Sequence, residues 1–451
     1  MSETSCDVVV VGLGPGGEAL ATRLAGAGLS VVAVEAELVG GECPYWGCIP
    51  SKMMIRAANA LAEARRVDQV AGHADVQADF APVAKRIREE ATDDWDDTVA
   101  VERLLKANVT FVRGRGRIVA DRTVEVDGDR YVASRGVVLN TGTTAAVPPI
   151  DGLADTPFWT NREAVSATEA PSSLVVIGGG AIGLELAQTF ARFGSDVVVL
   201  EVAPRILGPE EPEASVLLTD LLTSEGLTVH AGISIDGVAH DGDRFHVTCG
   251  DQTFEAEQLL VAAGRKPRIA DIGLDTIGVD GSGRSLEVDD DQRVADGLWA
   301  IGDIAGRGAF THVSMYQAER AARSILGEDQ PPYDPTFPRV TFTDPEVGAV
   351  GLTEQQARDR GMNVEVTTSD IAASSRGFVH GPGHEGLVKL VVDTDRDVVV
   401  GATVVGPSGG ETVSGLAVAV RAEVPVSTLR NSIYAYPTFW RAIESTLPKP
   451  S

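Results

Sequence analysis

The sequence predicts an α/β protein in which two doubly wound domains are followed by an α+β domain. Three observations carry this. Short β-branched strands alternate with helix-forming stretches through most of the chain, the pattern of parallel sheets covered by helices. One strand–glycine turn–helix–strand–acid unit occurs twice. From about Thr336 the alternation gives way to paired strands without that unit. The 451 residues exceed what one core supports and suffice for two or three domains.

The first unit, DVVVVGLGPGGEALATRLAGAGLSVVAVE, runs from Asp7 to Glu35. Its apolar run reads as a buried strand, and Gly12, Gly14 and Gly17 let the backbone turn tightly against a pyrophosphate seated on the helix N-terminus. Glu35, at the end of the second strand, is placed to accept from a ribose hydroxyl. The second unit, SLVVIGGGAIGLELAQTFARFGSDVVVLE, repeats this from Ser173 to Glu201 with Gly178, Gly180 and Gly183. Two such Rossmann-like units imply two dinucleotides, as when a nicotinamide cofactor reduces a flavin. Glu201 favours NADH, because a carboxylate repels the 2′-phosphate of NADPH; Arg205, four residues on, softens that preference.

VVLNTGTTAAVPPIDG, which contains Gly142, and LLVAAGRKPRI read as two crossovers between a flavin domain and an inserted nicotinamide domain. In LWAIGDIAG, Asp303 stands at a strand's carboxyl end, where an acid can hold a ribityl or ribose hydroxyl. VKLVVDTDRDVVVGATVVG, Val388 to Gly406, reads as antiparallel strands of a domain suited to subunit contact. The expected boundaries are 1–147 and 269–335 for the FAD-binding domain, 148–268 for the NAD(P)-binding domain and 336–451 for the last.

A formal net charge of −27 argues against nucleic acid and against an anionic membrane surface as partners. No apolar stretch has the roughly 20 residues that span a bilayer, and no basic region precedes the first apolar run as in a signal peptide. The expected location is cytoplasmic. DDWDD, Asp93 to Asp97, reads as an acidic, solvated helix face, and HGPGH, His380 to His384, lacks a third ligand for a metal.

The four cysteines are too few for a disulfide scaffold. Cys43 and Cys48 lie in GGECPYWGCIPSK, five residues apart. Pro50 and the run that follows place Cys48 at a helix N-terminus, where amides and dipole stabilise a thiolate. Gly47 lets the chain curl so that the sulfurs can meet at disulfide distance. A zinc site and a pair of buried structural thiols are the competing readings; Cys6 and Cys249 lack zinc-ribbon spacing. In the redox reading, Lys52 neutralises charge on the reduced flavin and Glu185 is its ion partner.

GGECPYWGCIPSK resembles the redox signature GGxCxxxGCxPSK of the pyridine nucleotide-disulfide oxidoreductases, a group that includes dihydrolipoyl dehydrogenase, glutathione reductase, mercuric reductase and soluble transhydrogenase. LWAIGDIAG resembles the family's second FAD motif and PRVTFTDPEVGAVGLTE the start of its dimerisation domain, so the likeness covers essentially the whole chain. The resemblance implies that Cys43 is the interchange thiol and Cys48 the charge-transfer thiol. It implies that Lys52 and Glu185 lie near flavin N5 and that Asp303 is a flavin ligand. It further implies a homodimer in which each tail completes the partner's active site.

The tail departs from the pattern. Where the family carries HPTxxE, this chain reads YPTFWR: Tyr436 replaces the histidine, Arg441 the glutamate, and Glu444 comes three residues late. Histidine ordinarily titrates near 6.5 and tyrosine near 10, so tyrosine is a poor base at neutral pH but a usable acid. His312 is a candidate substitute. Tyr45, Trp46, Tyr434, Tyr436, Phe439 and Trp440 suggest either interface packing or a stacking pocket for a flat acceptor. The expected function is an FAD-dependent NADH:disulfide oxidoreductase (NADPH possible) acting through Cys43 and Cys48 on a small acceptor. The alternative is a diaphorase, quinone reductase or transhydrogenase-like enzyme.

Overall fold

In the computed structural model, which describes residues 2–449, the chain divides into two compact units. The first contains Met1–Pro50, Lys85–Ala146 and Arg265–Pro335; the second contains Ser51–Ala84, Val147–Gly264 and Thr336–Ser451.

The first unit is built on the strand β1 (Glu3–Val11), the helix α1 (Pro15–Gly26) and the strand β2 (Val31–Glu35). β1 pairs in parallel with β2 on one side and with Asp129–Leu139 on the other; Thr110–Arg113 extends the sheet beyond β2, and Leu298–Ala300 beyond Asp129–Leu139. Alternate residues of β1 serve two cores. Val8 and Val10 pack with Leu20 and Leu24 of α1, while Val9 and Val11 pack with Ile118 and Val124 on the opposite face. The unbroken valine run therefore marks a strand buried on both sides, each fully buried valine contributing roughly 1.5 kcal/mol or more. The helix α2 (Glu42–Trp46), Gly47 and the first residues of the helix α3 (Cys48–Arg66) follow, α3 from Ser51 on belonging to the second unit. The two segments read as crossovers pair antiparallel with one another, Ala145 opposite Arg265 and Thr143 opposite Pro267.

In the second unit, a parallel sheet of Thr228–Ala231, Asp196–Glu201, Ser173–Ile177 and Gln258–Val261 carries the second glycine turn. A five-stranded antiparallel sheet holds Leu387–Asp393 beside Val398–Gly406, joined by the DTDRD turn. The DDWDD segment is not a helix face. A π-turn over Ile87–Ala91 ends before it, and Asp93, Asp94 and Trp95 take φ of 49°, 57° and 58°, a left-handed run that L residues enter at a cost of roughly 1–2 kcal/mol each.

Candidate active site

The two dinucleotide-binding turns have the same construction. Gly12 (φ 94°) and Gly178 (φ 116°) lie so close to the next strand that a Cβ would stand 2.4 Å from Asn140 O and 2.4 Å from Ala262 O, respectively. Gly17 and Gly183 let each helix close on its strand, a Cβ there meeting Gly12 O at 2.1 Å and Gly178 O at 2.0 Å. Gly14 and Gly180 cap their helices without a side-chain hydrogen bond, which leaves the first-turn N–H groups for an anion.

Each acid ties its turn. Glu35 accepts from Leu13 N–H at 2.7 Å and Glu37 N–H at 2.8 Å; Glu201 accepts from Gly179 N–H at 2.6 Å and Ala203 N–H at 2.7 Å. A carboxylate has about four acceptor positions, so both retain capacity for ribose hydroxyls. Burial pushes the Glu35 carboxyl above its ordinary value, against the pull of those two N–H donors. Arg205 points into its own loop, donating to Leu207 O and Gly208 O. Asp303 accepts from the Thr143 hydroxyl at 2.6 Å, and Gly142 (φ 63°) accepts from Arg268 N–H through its carbonyl.

Cys43 lies within α2 and Cys48 is the first residue of α3, both half-buried. Cys48 thus opens a 19-residue helix, the end at which the dipole favours a thiolate. Thr311, the first residue of the helix Thr311–Leu326, puts its hydroxyl 3.4 Å from the Cys48 sulfur. Trp46, between the cysteines, stacks on Trp95 with centroids 5.5 Å apart. In the second unit Lys52 donates to Glu185 at 2.8 Å, Glu185 accepts from Phe342 N–H at 2.8 Å, and the Lys52 ammonium lies 4.6 Å from the Phe342 ring centroid.

Of the tail aromatics, Tyr434 stacks on Trp440 at 5.6 Å, and Phe439 lies 6.4 Å from His380. Tyr436 is 72% exposed and borders a hollow of about 420 Å³ with Phe378, Val379 and Pro437. Arg441 pairs with Glu444. His312 is exposed and stacks on Phe310; His384 bonds Gly377 O, and burial holds His380 below its ordinary value. Among the described residues, no group of three or more His, Cys, Asp or Glu is arranged for a metal, and no helix is long and apolar enough to cross a membrane.

Residues 6–318 match the pyridine nucleotide-disulphide oxidoreductase family and residues 337–446 its dimerisation domain. The chain belongs to this family. A dihydrolipoyl dehydrogenase of Halobacterium salinarum is 33% identical over 97% of this chain and 95% of its own length. A mercuric reductase of Bacillus cereus is 32% identical over 97% of this chain and 70% of its own. Among solved structures, the HOCl-induced flavoprotein disulfide reductase RclA from Escherichia coli superposes with a TM-score of 0.87 at 27% identity, over 98% of this chain and 99% of that one.

As a pyridine nucleotide-disulphide oxidoreductase, the protein is a flavoprotein enzyme whose cofactors are FAD and NAD(P)H, and the second match supports a homodimer. The residues fit these cofactors. The glycine turn at Gly14 and the N-terminus of α1 suit a pyrophosphate, and Glu35 and Asp303 keep acceptor capacity for hydroxyls. Several contributors are not singled out by the sequence, even where they lie in motifs: Thr311 beside Cys48, Phe342 behind Glu185, Asn140 under the glycine turn and Trp95 on Trp46. Trp95 alone carried a signal, as an apolar residue set in an acidic run.

Proposed function

We propose that the protein is an NADH-dependent disulfide oxidoreductase that passes electron pairs through Cys43 and Cys48 to a small, unusual disulfide. Bound FAD supplies a two-electron carrier between the nicotinamide and the cysteine pair. The net reaction is NADH, a proton and RSSR giving NAD⁺ and two RSH, so the hydride's electron pair ends in the cleaved S–S bond.

The carrying observation is the placement of the two cysteines: one on each side of Gly47, with Cys48 opening α3 beside the Thr311 hydroxyl. With the pair reduced, the Cys43 thiolate attacks RSSR, forming a mixed disulfide and expelling RS⁻, which takes a proton. Cys48 then attacks Cys43, releasing the second thiolate, which is also protonated, and restoring the disulfide. Tyr436 of the partner subunit is the proton donor or orienter; its exposure, with that of Phe378 and Ile433, supports a tail that another subunit covers. Lys52, held by Glu185, supplies positive charge for the reduced flavin. Glu201 supports NADH, and Arg205, engaged with loop carbonyls, does not oppose it.

The missing His–Glu dyad favours a second reading, a diaphorase, quinone reductase or transhydrogenase-like enzyme in which the cysteines are secondary. An anaerobic NADH titration decides. Uptake of four electrons per FAD, with a long-wavelength thiolate-to-flavin band and two newly alkylatable thiols, is expected. Uptake of two, with turnover surviving Cys43→Ser, overturns the disulfide reading. A panel of lipoamide, glutathione disulfide, other small disulfides and quinones then identifies the acceptor.

A further inference from the structure

We propose that Trp95 is a positioning residue for the cysteine pair: a strained left-handed turn presses its indole onto Trp46 and so fixes the loop between Cys43 and Cys48. This rests on the redox reading of that pair.

The turn is unusual in its backbone. Single left-handed residues occur at turns, but Asp93, Asp94 and Trp95 are three in succession, and none is glycine. For a residue as bulky as tryptophan, such a φ is a genuine outlier. Strain of this kind persists only where the surroundings over-determine it, and they do so here. The preceding helix widens so that Thr92 N–H reaches Ile87 O at 3.0 Å, and the buried Thr92 hydroxyl accepts from Trp95 N–H at 3.3 Å. On the far side, Asp97 accepts from Val39 N–H at 2.6 Å.

The turn fastens to the redox loop through three contacts. The rings of Trp46 and Trp95 stack at 5.5 Å with 22° between their planes. The Trp95 indole N–H donates to Tyr45 O at 3.3 Å, and the Tyr45 hydroxyl donates to Asp96 O at 3.4 Å. Tyr45 and Trp46 both lie between Cys43 and Cys48, so the staple acts on the chain that must close when the sulfurs join. A loop already fixed by its neighbours has less entropy left to lose on forming the S–S bond. Loosening the staple therefore favours the dithiol.

The test equilibrates the FAD-loaded protein in thiol–disulfide buffers and counts alkylatable thiols in wild type, Trp95→Ala, Trp95→Leu and Trp95→Phe. Trp95→Ala is expected to shift the dithiol-to-disulfide ratio about fivefold toward dithiol, within the range of an aromatic stack, or about 20 mV for a two-electron couple. Trp95→Phe, which keeps a ring on Trp46, is expected to recover most of the shift, with FAD content and thermal midpoint close to wild type throughout. If Trp95→Ala loads no FAD, Trp95→Leu, which keeps bulk but no ring, is read in its place. A change smaller than twofold in the variant so read, or a Trp95→Phe protein as displaced as the ring-less one, overturns the proposal. Failure of the underlying redox reading appears separately, as a wild-type pair that never forms a disulfide in these buffers.

Discussion

Lys52 donates to Glu185 at 2.8 Å across a marked difference in environment: the glutamate side chain is 6% exposed and the lysine 36%. The buried partner is held on its other oxygen by Phe342 N–H, so the exposed cation is aimed by a carboxylate engaged at both oxygens. Removing one preorganised electrostatic group from an active site costs roughly 10²–10³ in rate. We expect Lys52→Met to slow NADH-driven flavin bleaching about a hundredfold without loss of FAD. Glu185→Gln, whose amide oxygen still accepts from Phe342, should cost about tenfold. Phe342→Leu retains the backbone bond and loses only the ring under the ammonium, worth about 0.5–1 kcal/mol, so a fall of less than about fivefold is expected. Stopped-flow absorbance at the flavin band checks all three.

What the sequence made legible follows from where chemistry needs a particular residue type. Gly12 and Gly178 must be glycine because the neighbouring strand leaves no room for a Cβ, and Glu35 and Glu201 must be acids because each bridges two N–H groups. Lys52 and Glu185 are 133 residues apart, and no periodicity connects them; the redox reading and the family pattern paired them. Phe342 was not legible because it acts through its backbone N–H, which every residue but proline possesses. DDWDD misled for a different reason. Its composition suits a solvated helix, whereas contacts with Arg88, Thr92, Tyr45 and Trp46 hold it left-handed.

The tail makes a chemical prediction. Tyr436 and Arg441 occupy the positions of the family's histidine and glutamate, and Arg441 is instead paired with Glu444. General acid–base catalysis contributes roughly 10²–10⁴ when the group's proton affinity suits the working pH. Tyr436→His combined with Arg441→Glu should therefore raise turnover of dihydrolipoamide near pH 8 by about tenfold or more. Tyr436→His alone should raise it less, because the imidazole lacks its carboxylate. Steady-state rates of NAD⁺ reduction by the dithiol measure this, and no gain in the double variant would mean that the tail does not reach the reacting sulfur.

Nicotinamide selectivity should reside in Glu201. Its carboxylate is anchored by Gly179 and Ala203 N–H, and in the proposed NADH site its charge would oppose a 2′-phosphate. Like charges near a protein surface repel by about 1–4 kcal/mol at contact distance. Glu201→Ser should thus raise the ratio of kcat/KM for NADPH over NADH about tenfold. Adding Arg205→Ala should lower that ratio again if the arginine, freed from Leu207 O and Gly208 O, turns to the phosphate.

Lys389 is 2% exposed and reaches Glu211, Glu213 and Glu354 at 3.0, 2.9 and 3.0 Å; Glu211 is itself 3% exposed and also accepts from Glu354 N–H. Deleting the lysine strands the buried Glu211 carboxylate, at roughly 3–5 kcal/mol, whereas the partly exposed Glu213 and Glu354 return to water. Lys389→Met should lower the thermal midpoint markedly, and a further Glu211→Gln should recover part of the loss by removing the stranded charge. Burial lowers the Lys389 proton affinity, but bonds from Glu213, Glu211 and Glu354 outweigh it and raise the ammonium above its ordinary value. Bonds from Lys389 and Arg358 hold Glu354 below its own. The signs fix the window. The raised lysine stabilises the fold fully below its unfolded value near 10.4 and loses that contribution as pH rises through the higher folded value. The depressed glutamate contributes above its unfolded value near 4.3 and loses that contribution as pH falls through the lower folded value. The gap in thermal midpoint between wild type and Lys389→Met should therefore be flat from about pH 5 to 10 and narrow at both ends; a gap that peaks at one pH within that range would show that the Lys389–Glu354 pair does not set the pH dependence.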